Sequence, residues 1–202
     1  MLAKSLYNLR NALRTYVSSH APDIENFCGK ALRSEHQETH FIPASSHISE
    51  RLTNLDGDCS VETKPIFDAI VDAAGDVTWR QSYTTDDTGF DAHYLANYAW
   101  FNLISPSGPF VSEDMRLSIG YWEKGLTYPN HWHEPEEIYL TIAGNALYIS
   151  EGRTPVRGGP GARIQHVSNQ QHSAKFDESP LLAAAFWRGK NLEGKSCIGA
   201  KP

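Results

Sequence analysis

Leu2, Leu6, Leu9, Leu13 and Val17 recur three and four residues apart, with Lys4, Asn8, Arg10 and Arg14 between them. That spacing lays one apolar stripe along a helix. Its polar face is mixed rather than strongly basic, so the stripe is expected to pack on the body of the domain and not on a membrane. A second helix is predicted from Pro65 to Ala74, with Pro65 in the first turn and Gly75 at the end. Residues 34–62 keep no period and read as loop or short irregular elements. His36, His40 and His47 fall there at spacings that match no zinc motif, and are read as solvated. Residues 80–92 read as a surface connection before the aromatic run Tyr94, Tyr98, Trp100 and Phe101.

From residue 113 the period becomes two. Met115, Leu117, Ile119 and Tyr121 alternate with Arg116, Ser118 and Gly120; Ile138, Leu140 and Ile142 alternate with Tyr139 and Thr141. The segments NALYIS, ARIQHV, HSAKF and LLAAAFW follow, separated by turn signals such as Gly144-Asn145 and Ser168-Asn169. About six short strands at this spacing predict a mainly β fold, an antiparallel barrel or sandwich. The expected organisation is a helical and irregular region over 1–112 packed on a barrel over 113–202, in a single compact domain.

Composition narrows the partners. Of 202 residues, 18 are Lys or Arg and 24 are Asp or Glu, a formal charge of -6 that argues against nucleic acid. No run approaches the roughly 18 apolar residues that cross a bilayer, and Lys4, Arg10 and Arg14 interrupt anything like a signal peptide. Cys28, Cys59 and Cys197 are far apart and odd in number, which points away from a disulfide framework and toward a reducing cytoplasm. A monomer and a homodimer are both compatible with this.

The richest chemistry lies in residues 125–144. His131, His133, Glu137 and Tyr139 sit at odd positions, and Ile138, Leu140 and Ile142 at even ones. Alternation along a strand therefore gives one face two imidazoles, a carboxylate and a phenol. Such a set suits one divalent transition metal ion, zinc, iron, manganese, nickel or cobalt, and lacks the thiolates that select copper(I). Absence of cysteine also favours catalytic over structural zinc.

The string Gly-x5-His-x-His-x3-Glu-x6-Gly, met at every defined position by residues 125–144, resembles the first motif of the cupins, small double-stranded antiparallel β-barrels with a metal in the mouth. Their second motif, Pro-x-Gly-x-x-His-x3-Asn, is met loosely, with Val167, Asn169, His172 and Phe176 at its defined positions. Asn169 tolerates the left-handed turn that glycine would supply. The resemblance implies His172 as a further ligand, with His166 as its rival on the other side of the turn.

Within the cupins the chain is similar to the Q-type dimethylsulfoniopropionate lyases, through Tyr128 in GLTYPNHWH, the HxHxxxExY string ending in Tyr139, His172, and Trp187 in AAAFWRG. The likeness implies cleavage of a small zwitterion to dimethyl sulfide and acrylate by β-elimination. It implies Tyr139 as a metal-adjacent base or displaceable ligand, Tyr128 as a second pocket tyrosine, and His131 beside the substrate. A cation near a phenol favours the phenolate. Aromatic faces attract a permanent cation; Trp187 is the preferred one, with Tyr121, Trp122 and Trp132 also available, although the even positions of the last two beside apolar neighbours favour a core reading for them. Competing readings are a cupin dioxygenase with an open iron site, a non-catalytic small-molecule-binding cupin, and a sugar-phosphate isomerase that would draw on Arg153, Arg157 or Arg163.

Overall fold

A computed structural model describes residues 2–44 and 46–201 of the chain. Helix α1 (Lys4–His20) buries Leu6, Leu9, Leu13 and Val17, the predicted stripe, and α4 (Lys64–Ala73) lies against it. Between them come α2 (Pro22–Cys28), α3 (Ile48–Arg51) and a 3-10 turn (Leu52–Asp58). The short α5 (Ala92–Ala96) opens inside the predicted connection, where the Asp91 carboxylate accepts from the Tyr94 amide at 2.7 Å and caps it. Among the described residues no helix is long and apolar enough to cross a membrane.

The strands are β1 (Gln37–Glu38), β2 (Tyr98–Ser105), β3 (Phe110–Val111), β4 (Met115–Trp122), β5 (Thr127–Trp132), β6 (Glu136–Gly144), β7 (Ala146–Ser150), β8 (Val156–Gly158), β9 (Arg163–His166), β10 (His172–Lys175), β11 (Leu181–Arg188) and β12 (Cys197–Ile198). They form a seven-stranded sheet, β1-β3-β2-β4-β11-β6-β9, and a five-stranded sheet, β12-β5-β10-β7-β8. Pairing is antiparallel throughout, apart from β2 with β3. This is the mainly β, double-sheet architecture that the cupin resemblance implies. The large sheet starts earlier than residue 113: Tyr98–Ser105 pairs along β4, and β1 and β3 extend the same edge. Its sequence, YAWFNLIS, hides the strand because both faces are buried, which leaves a nearly continuous apolar run instead of alternation.

Period two divides the large sheet into two unlike faces. Leu117 and Ile119 of β4, Ile138, Leu140 and Ile142 of β6, and Leu182 and Phe186 of β11 join the leucines of α1 in one apolar core. Each such side chain contributes about 1.5–3 kcal/mol when fully buried. The intervening residues face the space between the sheets, where Tyr98, Trp122, Tyr128, Tyr139 and Phe176 form an aromatic cluster. Two glycines are required by close approach. At Gly144, φ is +73° and a Cβ would fall 1.8 Å from the Pro180 carbonyl oxygen; at Gly120 it would fall 2.4 Å from the Trp122 ring.

Candidate metal centre

Strand register assembles the site as one row of side chains. Arg116 on β4 stands opposite Trp187 on β11, Trp187 opposite Glu137 on β6, and Glu137 opposite His166 on β9. In the smaller sheet Ser150 stands opposite His172, and His172 opposite His131. A contact of 3.0 Å between Ser150 Oγ and His166 Nε2 joins the two rows into a belt around the barrel. His133 follows directly after β5. Its carbonyl accepts at 2.8 Å from the amide of Asn169, which holds the left-handed conformation anticipated for it, with φ of +60°.

Three imidazoles are oriented by the backbone. Nδ1 of His131 lies 2.8 Å from the Pro129 carbonyl, that of His133 2.9 Å from Pro135, and that of His172 2.8 Å from Gln170. A carbonyl can only accept, so Nδ1 carries a proton in each ring and Nε2 is turned inward. Nε2 of His133 and of His172 lie 3.4 and 3.3 Å from Glu137 Oε2. Both nitrogens are buried without a hydrogen-bond partner.

Ligand atoms of His131, His133 and His172 lie within 4.8 Å of one another, as do those of Glu137, His166 and His172. Inward lone pairs converging on a carboxylate in a buried space are costly unless positive charge lies among them. The donor set therefore fits a divalent transition ion on the chemistry of its own atoms.

Electrostatics agree with this. Burial pushes the Glu137 carboxyl up, but the surrounding imidazoles, His133 first and then His166 and His172, outweigh it and hold it well below the usual carboxylate range. Burial, reinforced by His172, drives His131 well below its ordinary value and keeps it neutral. Trp187 Nε1 donates to Glu137 Oε1 at 2.6 Å, and His166 Nδ1 lies 3.0 Å from Oε2. Both carboxylate oxygens are thus oriented from behind.

Of the residues singled out from sequence, His131, His133, Glu137 and His172 come together. His166 does too, bridging Glu137 to Ser150 and stacking on His172 at 3.8 Å. Tyr139 lines the adjoining cavity; burial and then the Glu137 charge push its phenol well above 10. Tyr128 stacks on His131 at 3.9 Å and shares a 2.7 Å hydrogen bond with the Tyr83 hydroxyl, and burial raises it as well.

Trp187 lines the cavity, packed between a cation and an imidazole. Its ring lies 4.2 Å from the His133 ring and carries the Arg116 guanidinium at 4.2 Å. Tyr121 turns to the helix-side core and donates to Glu123 Oε2 at 2.8 Å. Trp122 lines the cavity with Tyr128 and Tyr139, whereas Trp132 is half-buried at a neighbouring depression. Arg153, Arg157 and Arg163 bind the Gln165 carbonyl, Asp177 and Asp23, and none of them lines the cavity. His40 and His47 are exposed as expected, while His36 is half-buried against Phe110.

The cavity measures about 270 Å³, near the low end of small-molecule sites. Its aromatic walls include Tyr83, Tyr98, Trp100 and Trp122, and Arg116 contributes a cation. Arg116 escaped notice in the sequence because a polar residue alternating with Met115 and Leu117 looks solvent-facing. Alternation separates two faces but does not say which one encloses a cavity.

A family model described as dimethylsulfoniopropionate lyase matches residues 19–183. The dimethylsulfoniopropionate lyase DddQ of Ruegeria pomeroyi is 36% identical over 124 residues, 61% of this chain and 61% of that protein, so the match covers about three fifths of the relative's length. Crystal structures described as those of the DMSP lyases RdDddP and RnDddQII include a chain superposing with a TM-score of 0.89 at 30% identity, over 97% of this chain and 98% of that one. The crystal structure of the DMSP lyase DddQ from Ruegeria pomeroyi gives 0.81 at 29% identity, over 95% of each chain.

Proposed function

The chain belongs to the dimethylsulfoniopropionate lyase family, and from that premise we propose that it is a metal-dependent carbon-sulfur lyase that cleaves dimethylsulfoniopropionate to dimethyl sulfide and acrylate in the cytoplasm. The observation that carries the reading is the pair of buried, unpartnered Nε2 atoms of His133 and His172 aimed at Glu137, beside an aromatic cavity of about 270 Å³. His131, His133, Glu137 and His172 would hold one divalent ion of zinc, iron, manganese, nickel or cobalt, with Tyr139 as a displaceable neighbour. When bound, the ion supplies Lewis-acid stabilisation of charge building on the substrate carboxylate and a field that favours the Tyr139 phenolate.

The chain's own residues do the rest. Tyr139, as phenolate, takes the proton from the carbon next to the carboxylate at its Oη. The released electron pair forms the carbon-carbon double bond, the carbon-sulfur bond breaks, and its pair leaves on sulfur as neutral dimethyl sulfide. Tyr128, fixed by Tyr83, packs His131 and closes the pocket beside the base. The aromatic walls attract the sulfonium through their quadrupoles and need no proton donor to do so. Trp187 and His166 keep both oxygens of Glu137 in place.

Head-space measurement of dimethyl sulfide from purified protein tests this. Release that stops with a chelator and returns on adding one divalent ion is the expected result. No release at stoichiometric metal overturns the assignment, and oxygen uptake during turnover moves it to a dioxygenase.

A further inference from the structure

Four flat groups follow one another in contact along the cavity wall. The Trp100 ring lies 4.7 Å from the Arg116 guanidinium carbon, that carbon 4.2 Å from the Trp187 ring, and the Trp187 ring 4.2 Å from the His133 ring. Both ends of the row are tied down: Trp100 Nε1 donates to Ser82 Oγ at 2.8 Å, and His133 Nδ1 to the Pro135 carbonyl at 2.9 Å. In the middle, Arg116 Nε donates to Ser118 Oγ at 2.8 Å and Nη1 to the Leu192 carbonyl at 3.1 Å. Arg116 is half-buried. Burial lowers its guanidinium from the ordinary value while the Glu193 and Glu137 carboxylates raise it against that, so it stays a cation whose charge is answered inside the protein.

The row meets the metal centre at one hydrogen bond. Trp187 Nε1 donates to Glu137 Oε1 at 2.6 Å, and Arg116, Trp187 and Glu137 are register partners on β4, β11 and β6, with the Trp187 ring between the other two side chains. The outer torsion of a tryptophan is broad and roughly two-fold, so the strand alone does not fix where the N–H points. A ring packed between a guanidinium and an imidazole gives up both contacts if it turns. A cation against the indole also draws density from the ring, which makes its N–H the stronger donor.

We propose that Arg116 is a positioning residue of the metal centre: seated between Trp100 and Trp187, it fixes the indole that orients Glu137 and so tightens the site's hold on a divalent ion. This rests on the metal-centre reading given above and is independent of the substrate. Its effect reaches the ion through a single N–H, and removing that N–H must therefore make Arg116 dispensable to metal affinity.

Cobalt(II) is the probe, its affinity measured against a competing chelator with no substrate present. Wild type, Arg116→Met, Trp187→Phe and the double variant form a cycle. Arg116→Met keeps the bulk and removes the charge, and is expected to weaken cobalt(II) by roughly three- to thirtyfold, the span of a cation–π contact from exposed to desolvated. Arg116→Lys keeps the cation without the flat contact and should fall between wild type and Arg116→Met. In the Trp187→Phe background, where no N–H is left to aim, Arg116→Met should change the affinity by less than about twofold. Should Arg116→Met not fold, Ser118→Ala, which frees Nε, takes its place in the cycle with a severalfold loss expected.

Equal affinity in wild type and Arg116→Met, an Arg116→Lys protein as weak as Arg116→Met, or the same loss with and without the Trp187 N–H each overturns the positioning role and leaves the metal centre standing. The last is the result a purely structural arginine would give. A wild type that takes up no cobalt(II) overturns the metal centre and the role together.

Discussion

On the helix side of the seven-stranded sheet, Leu117, Leu140 and Phe186 are fully buried in the apolar core. One residue away along the same strands, Arg116, Tyr139 and Trp187 line a cavity of imidazoles, phenols and indoles with unmet hydrogen-bonding capacity. Backbone and strand order are shared, and Tyr139 and Trp187 are buried like their neighbours; what differs is the parity. Burial by itself therefore does not distinguish the part of this molecule that holds it together from the part that does chemistry. Polar groups left unpaired do, because a native interior seldom tolerates them without a use.

If the two faces are independent, substitutions should divide by parity. The largest effect is expected from Glu137→Ala: loss of bound metal and a fall in dimethyl sulfide release of about a thousandfold or more, read by elemental analysis and gas chromatography. Retained activity at stoichiometric metal would remove Glu137 from the ligand set. Next is Tyr139→Phe, which should keep metal and thermal stability but lose about 10²–10⁴ in kcat; a near wild-type rate would take Tyr139 out of the mechanism.

On the opposite face, Leu140→Ala should cost about 2–5 kcal/mol of stability in urea titration and leave kcat of the folded enzyme unchanged. A kcat change as large as that of Tyr139→Phe would break the separation of the faces. The smallest effect is expected from Trp187→Phe, which keeps the ring and removes only the N–H bound to Glu137. Metal affinity, measured against a competing chelator, should weaken by about ten- to a hundredfold, and an unchanged affinity would mean that His166 suffices to orient the carboxylate.

Parity was legible in the sequence wherever one face of a strand is polar. Glu137 and Tyr139 part from Ile138 and Leu140 by period two alone, and the His131 to Gly144 spacing added the metal. Three things were not legible, each for a stated reason. The strand at Tyr98–Ser105 is buried on both faces and shows no alternation. Arg116 has the pattern of a solvent-facing residue, since the enclosing walls come from other strands. Trp187 is typed correctly as an aromatic at the site, but its work there comes from its N–H and its register opposite Glu137, and pairing between distant strands leaves no mark in local spacing.

The position of β11 has a kinetic consequence. It is the last long strand to be synthesised, yet it lies between β4 and β6 in the finished sheet, so Arg116, Trp187 and Glu137 cannot meet until some seventy residues of chain have looped back. Such non-local closure is slow compared with helix formation. Uptake of a spectroscopically visible ion during refolding should therefore lag behind the recovery of helical signal and time the arrival of that final strand.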